Sequence, residues 1–202
     1  MASDSGGGER AKLPVRRRRV LATVDVDAPA TVFCPAQRRS MHVSECAACH
    51  HVHQVAEHEV ECSPPDSPLA KLLASDPRIG GNVLTGEVMG AVTLCARVET
   101  PAGVVARAIA QERVLAAVIV DEWERYVGIV ERADAEAAAP AECLHGIVRA
   151  VAPVHEASPL AGVIARMVHD RARVLAVVDD DRRPAGVLSD LDALRWVRRR
   201  TV

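Results

Sequence analysis

The sequence predicts an α+β protein: two copies of a strand–helix–strand–strand–helix unit, preceded by a small cysteine-rich module. Three observations predict it. Residues recur at an offset of 58 positions through the second half of the chain, four of the six cysteines fall between positions 34 and 62, and the composition is 49% hydrophobic but only 2% aromatic. The first implies a duplication, the second a metal, and the third a core of Val, Leu, Ile and Ala.

The 202 residues leave room for such a tandem and one extra module. With 25 Lys+Arg against 27 Asp+Glu the net charge is −2, which excludes a polyanion-binding surface over the whole molecule but not a local basic patch. Phe33, Trp123, Tyr126 and Trp196 are the only aromatics, too few for stacking along single-stranded nucleic acid. No apolar run reaches the roughly 18 residues of a membrane span. The run Arg16–Arg19 meets Asp25 and Asp27 after only a few apolar residues, so no secretory signal is expected and the expected location is cytoplasmic.

Residues 1–19 carry Gly, Ser and charge without apolar periodicity and are expected to be a disordered basic tail. Residues 20–63 form the next unit. It opens with an extended stretch from Val20 to Phe33 and then holds the cysteines. Cys34, Cys46, Cys49 and Cys62 follow the pattern Cys-x11-Cys-x2-Cys-x12-Cys. Four thiolates enclose Zn²⁺ tetrahedrally, and Cys46-x-x-Cys49 has the spacing of a metal knuckle. Disulfides and a redox pair fit less well in a reducing compartment without a strand–helix unit around the pair. His50, His51, His53 or His58 could replace one ligand, His42 less readily. The segment resembles a zinc-ribbon or treble-clef module, although Cys34 and Cys62 stand alone instead of in a second knuckle.

Residues 64–86 are the expected linker, marked by Ser63-Pro64-Pro65-Asp66-Ser67-Pro68, with a short helix from Leu69 to Ala74. The duplicated units follow at 87–142 and 143–200. The offset carries Pro101 to Pro159, Val105 to Val163, Val120-Asp121 to Val178-Asp179, Gly128 to Gly186 and Asp134 to Asp192. Arg113–Ala116 fits Arg173–Ala176 better, which suggests a small local slip. Opening strands are expected at Val88–Leu94 and Ile147–Val151. Thr100-Pro101 and Ser158-Pro159 read as an N-cap hydroxyl and a first-turn proline, and helical spacing continues through Ile109 and Val168. The aliphatic runs Val114–Val120 and Val174–Val178 read as strands buried on both faces. Polar turns lead to returning strands Tyr126–Val130 and Ala185–Leu188, and closing helices are expected near Asp134 and Asp190.

Val88-Met89, Val118–Asp121, Ala176–Asp179 and Gly186-Val187-Leu188-Ser189-Asp190-Leu191-Asp192, held in phase by the repeat, resemble a tandem CBS domain pair, or Bateman module, over roughly Glu87–Val197. The resemblance implies a pseudo-two-fold pair, a homodimer through the CBS domains, and binding of AMP, ATP or a related adenosyl ligand. It further implies that Gly186, Ser189 and Asp192 in the second copy, and Gly128 and Asp134 in the first, are ligand-site residues, the aspartate taking the ribose hydroxyls. The first copy has Glu131 where Ser or Thr is expected, and both copies lack the usual proline of the central strand (Val118, Ala176). A carboxylate at 131 repels phosphate, so the sites are expected to differ, with Ser189 and Asp192 preferred and Met89–Leu94 lining the base. Arg149, Arg171 and Arg173 are the cations available to a phosphate. An Asp ahead of a helix is also an ordinary cap.

Four closed thiolates leave no open metal position, and there is no Gly-rich phosphate loop or nucleophile motif, so no enzyme is expected. The expected function is regulatory, by sensing an adenosine-containing ligand. The alternative is a zinc-dependent nucleic-acid-binding or adaptor protein, using the arginine runs Arg16–Arg19 and Arg198–Arg200 and the repeats for dimerisation.

Overall fold

The computed structural model describes residues 11–21, 26–27, 30–49, 51–63, 83–90 and 92–200. The expected helix at 69–74 lies outside them. Described strands are β1 (Ala11–Leu21), β2 (Val26–Asp27), β3 (Thr31–Cys34), β4 (Arg39–His42), β5 (Val52–Val55), β6 (Glu59–Cys62), β7 (Val92–Arg97), β8 (Ala116–Val120), β9 (Tyr126–Glu131), β10 (Val154–His155), β11 (Val174–Val178) and β12 (Pro184–Ser189). Described helices are α1 (Val43–Ala47), α2 (Thr85–Val88), α3 (Ala102–Glu112), α4 (Arg132–Ala137), α5 (Leu160–Asp170) and α6 (Asp190–Arg200), with a 3₁₀ turn at Leu144–Gly146.

The duplication holds residue by residue. The helices α3 and α5, the strands β8 and β11, and β9 and β12 begin at the 58-residue offset. So do the left-handed residues Arg113 and Arg171 that end the two helices, and Glu124 and Arg182 in the two hairpin turns. The β-bulges at Ile119/Val120 and Val177/Val178 coincide as well, so the local slip suggested near Arg113 is not present. The caps differ from the expectation: Pro101 and Pro159 are themselves the N-cap residues. The Thr100 hydroxyl turns back to accept from the Arg97 N–H at 3.2 Å.

Both central strands are buried throughout, and their alternation divides the core. Ala117 and Ile119 face the first helical layer, and Leu175 and Val177 face the second. Ala116, Val118, Val120, Val174, Ala176 and Val178 meet in the seam between the copies. A run buried on both faces has no polar alternation, which is how the sequence shows it.

The opening strands lie later than expected. Thr85–Val88 is a helical turn, its Glu87 carboxylate accepting from Leu84 N–H at 2.9 Å. Residues 147–151 are drawn across to the first copy, where Arg149 and Ile129 exchange backbone bonds of 2.9 and 3.0 Å. Only Val154 and His155 then pair with β11. The lead-in segments are exchanged: Val83 and Met89 sit in the second copy's core, and Leu144 in the first. They also cap the opposite helices, Val83 O accepting from Leu160 N–H and Glu142 O from Ala102 N–H, both at 2.8 Å. Each copy therefore completes the other.

The residues expected as a tail contain the central strand of the larger sheet. β1 pairs antiparallel with β6, β3 and β2, and its second half runs parallel to β7. The tail expectation fails from residue 11 onward because the arginines have internal partners. Arg17 meets Glu57 at 3.1 Å, Arg18 meets Glu124 at 2.6 Å and Arg19 meets Glu112 at 2.6 Å. Arg16 is buried and donates to Gly86 O at 2.5 Å. The cysteine-rich module and the duplicated part are thus joined through one shared strand, and the expected boundary at residue 20 falls inside it.

Candidate functional site

Gly128 and Gly186, one repeat apart, have equivalent surroundings. A Cβ at Gly128 would stand 2.6 Å from Val148 Cγ1 and 2.7 Å from Arg149 O, and one at Gly186 would overlap the Met89 side chain. In each copy the glycine lets the other copy's lead-in segment lie against the returning strand. Just beyond each glycine the closing helix brings an aspartate to that segment, and there the copies diverge.

In the second copy, Ser189 Oγ donates to Asp192 Oδ2 at 2.6 Å and accepts from Asp192 N–H at 3.1 Å, while Ser189 N–H donates to the same Oδ2 at 3.1 Å. This is a reciprocal cap at the start of α6. Asp192 Oδ1 lies 3.8 Å from Arg195. The lead-in is close, with Gly90 N–H donating to Val187 O at 2.8 Å. Asp192 is thus already engaged within the chain.

In the first copy Glu131 replaces the serine. It supplies no hydroxyl and is drawn instead to Arg149, with which it forms an ion pair. Asp134 therefore receives no cap bond, and its Oδ2 is buried without a partner. Asp134, itself partly exposed, lines an open cleft of about 490 Å³ together with Glu142, Gly146, Ile147, Val148 and Arg149, its Oδ2 lying beneath the cleft surface. A buried carboxylate oxygen without donors is costly. Sequence reasoning named Arg149 but missed the rest of the opposite wall at 142–148, although the repeat offset maps 147–148 onto the Met89 region proposed for the second copy.

The four cysteines lie around the small sheet. Cys34 ends β3, Cys46 is buried in α1, Cys49 is exposed just after it, and Cys62 is buried at the end of β6. Burial, followed by Cys34, Cys49, Cys62 and Glu45, pushes the Cys46 thiol up; burial, Cys34 and Cys49 do the same to Cys62. Among the described residues, however, no three or more His, Cys, Asp or Glu side chains are gathered as a metal would require. The expected four-thiolate centre is not displayed. Cys46 instead packs with Val15, Val32 and Val60 in a small apolar core, so the module has more core than its sequence suggests. His42 turns to Ser44 at 2.6 Å and His53 to Ser63 at 2.8 Å, while His50 lies outside the described residues. Of the other two cysteines, Cys95 is fully buried, with its thiol pushed up to about 12 by burial, and Cys143 is exposed.

The profile of the CBS domain family matches residues 146–199, the second copy. The CBS domain pair of protein MJ0100, solved with 5′-methylthioadenosine and S-adenosyl-L-methionine, superposes with a TM-score of 0.54 at 23% identity, covering 58% of this chain and 98% of that one. The fold is that of a CBS domain pair. The cytosolic domain of the Mg²⁺ channel MgtE with ATP gives 0.52 at 23% identity, over 56% of this chain and 48% of that one. CBSX2 with AMP gives 0.51 at 15% identity, over 59% and 99%. No curated protein matches the chain.

The coverage leaves the cysteine-rich module as an addition to the CBS pair, and its contacts with the pair were not foreseen. Phe33 is buried directly against Gly86. Ser40 donates from its N–H at 2.7 Å and its hydroxyl at 2.5 Å to the buried Glu156 carboxylate. Burial pushes Glu156 up against the lowering effect of those bonds, and it holds Arg16 down at about 10, with Glu156 and Glu87 opposing. The position equivalent to Glu156 in the first copy is Val98, so this polar contact belongs to one copy only. The arginines at 17–19 of the first run each pair with a glutamate of the chain. Among the described residues no helix is long and apolar enough to cross a membrane.

Proposed function

We propose that the chain is a non-enzymatic regulatory protein whose CBS pair binds an adenosine-containing ligand in the cleft of the first copy. One observation carries the reading: Asp134 stands on the wall of that cleft with its Oδ2 buried and unpartnered beneath the surface, so its carboxylate is not engaged by the cap that holds Asp192. A vicinal diol would donate to that carboxylate in the manner the aspartate of the family motif suggests. The cleft volume suits a small ligand. The adenosine compounds bound to similar CBS pairs support the class. The second site keeps Gly186, Ser189 and Asp192 in place, but a ligand there must displace the serine from the carboxylate. Calorimetric titration of the full chain with AMP, ATP, S-adenosylmethionine and 5′-methylthioadenosine tests the reading. At least one is expected to bind, with affinity falling at least about tenfold in Asp134→Ala, because charge-assisted hydrogen bonds are lost. Heats unchanged by the substitution would reject the site.

The cysteine-rich module carries a second reading: a structural Zn²⁺ held by Cys34, Cys46, Cys49 and Cys62. The soft donor set suits zinc, and the mutual influence of the thiols supports it. Bound zinc would hold the thiols deprotonated and tie the ends of β3 and β6 to α1. Elemental analysis should find one zinc per chain; purified, folded protein without metal would remove this reading.

A homodimer through the second copy is supported by exposed Val168 on α5 and Leu191 and Leu194 on α6. The first copy has Ala110, Ala133 and Glu136 at the same repeat positions. Sedimentation should give twice the chain mass, and Leu194→Glu the single mass.

A further inference from the structure

We propose that the first-copy cleft selects adenosine compounds whose 5′ substituent carries no net negative charge, such as a thioether or a sulfonium, over nucleoside phosphates. The proposal rests on the adenosine reading of this cleft. Asp134 and Glu142 both line it, and Arg149 is the one cation among its described lining residues. That cation is paired with Glu131, which stands at the end of β9 outside the cleft's lining, while Arg149 lies on the lead-in of the second copy. Backbone bonds between Arg149 and Ile129 hold the lead-in against β9 beside the pair. A phosphate seated here must take Arg149 from Glu131. That leaves Glu131 uncompensated while bringing new negative charge toward Asp134 and Glu142. Each such like-charge contact corresponds to roughly tenfold or more in affinity. A neutral thioether leaves the pair undisturbed, and a sulfonium adds attraction. At the repeat-equivalent positions the sequence has Ser189 and Ala91, so the charge pair is peculiar to the first copy.

The test is calorimetric titration of the full chain with 5′-methylthioadenosine, S-adenosylmethionine, AMP and magnesium-free ATP. Wild type, Glu131→Ala, Glu131→Gln and Asp134→Ala are compared. The first two compounds should bind wild type at least about tenfold more tightly than AMP or ATP. The gap should narrow in both Glu131 variants as Arg149 is released; the glutamine keeps the shape of the side chain should the alanine misfold. AMP or ATP binding wild type as tightly, with that binding lost in Asp134→Ala, would overturn the selectivity and leave the adenosine site standing. Absence of binding by all four compounds would overturn the adenosine reading and the selectivity together.

Discussion

Asp134 and Asp192 occupy the same place in two copies of one fold, yet one carboxylate is bonded and the other is not. The difference lies three residues upstream. Ser189 both donates to and accepts from Asp192, closing a cap within its own helix. Glu131 has no hydrogen to donate and pairs with Arg149 instead, leaving Asp134 Oδ2 buried and unbonded. A single side-chain change therefore separates an aspartate that stabilises the fold from one left unsatisfied at some cost to it. Groups of that kind cluster at functional or strained sites, which is what motivates the proposal for this cleft.

The two copies also differ at the outer edge of their sheets. In the first, β1 adds a parallel strand beside β7 and brings Arg18 and Arg19 to carboxylates of that copy. In the second, the edge is a two-residue strand after Pro153. Arg166 donates to Pro153 O at 3.3 Å and to Ala152 O at 2.5 Å. A covered edge and a blunted edge both prevent strand addition by another chain.

Substitutions at paired positions should sharpen the contrast. The largest effect is expected at the glycines. Gly128→Ala places a methyl group against backbone at Arg149 and should cost about 1–3 kcal/mol, as overpacking does. Gly186→Ala meets only the flexible Met89 side chain and should cost less. Urea denaturation of both variants measures this, and equal losses would break the proposed difference between the two seams. Next come the caps: Ser189→Ala should cost about 0.5–2 kcal/mol, seen as a lower Tm. Asp134→Ala should leave the unliganded protein as stable as wild type or more so, since it removes an unsatisfied buried oxygen. Glu131→Ser should raise Tm by recreating the cap of the second copy, provided the lost Arg149 pair, half exposed, is worth less. The smallest effect is expected from Arg18→Ala, about 0.2–1 kcal/mol for a partly exposed ion pair. A double-mutant cycle with Glu124→Ala isolates that pair.

The repeat was legible because its marker residues are of types that backbone geometry constrains. Proline at the helix starts, glycine at the close contact and aspartate in the closing turn keep their phase, and the aliphatic strands carry no polar alternation. β1 was hidden because its charged positions are satisfied by Glu57, Glu112 and Glu124, between about 40 and 106 residues away. No local pattern records such partners. The opening strands were misplaced because 147–151 answers to Ile129 of the other copy and not to its own β11. At the candidate site, sequence pointed to a repeat-related pair of aspartates and to a difference between their surroundings. It favoured Ser189 and Asp192 because a hydroxyl beside a carboxylate looks like ligand chemistry. Their mutual satisfaction appears only once Ser189 ends β12 and Asp192 falls on the first turn of α6.

Binding stoichiometry tests the asymmetry most directly. Titrating wild type, Asp134→Ala and Asp192→Ala with 5′-methylthioadenosine should give one ligand per wild-type chain, retained in Asp192→Ala and lost in Asp134→Ala. Binding that survives in Asp134→Ala and disappears in Asp192→Ala would contradict it.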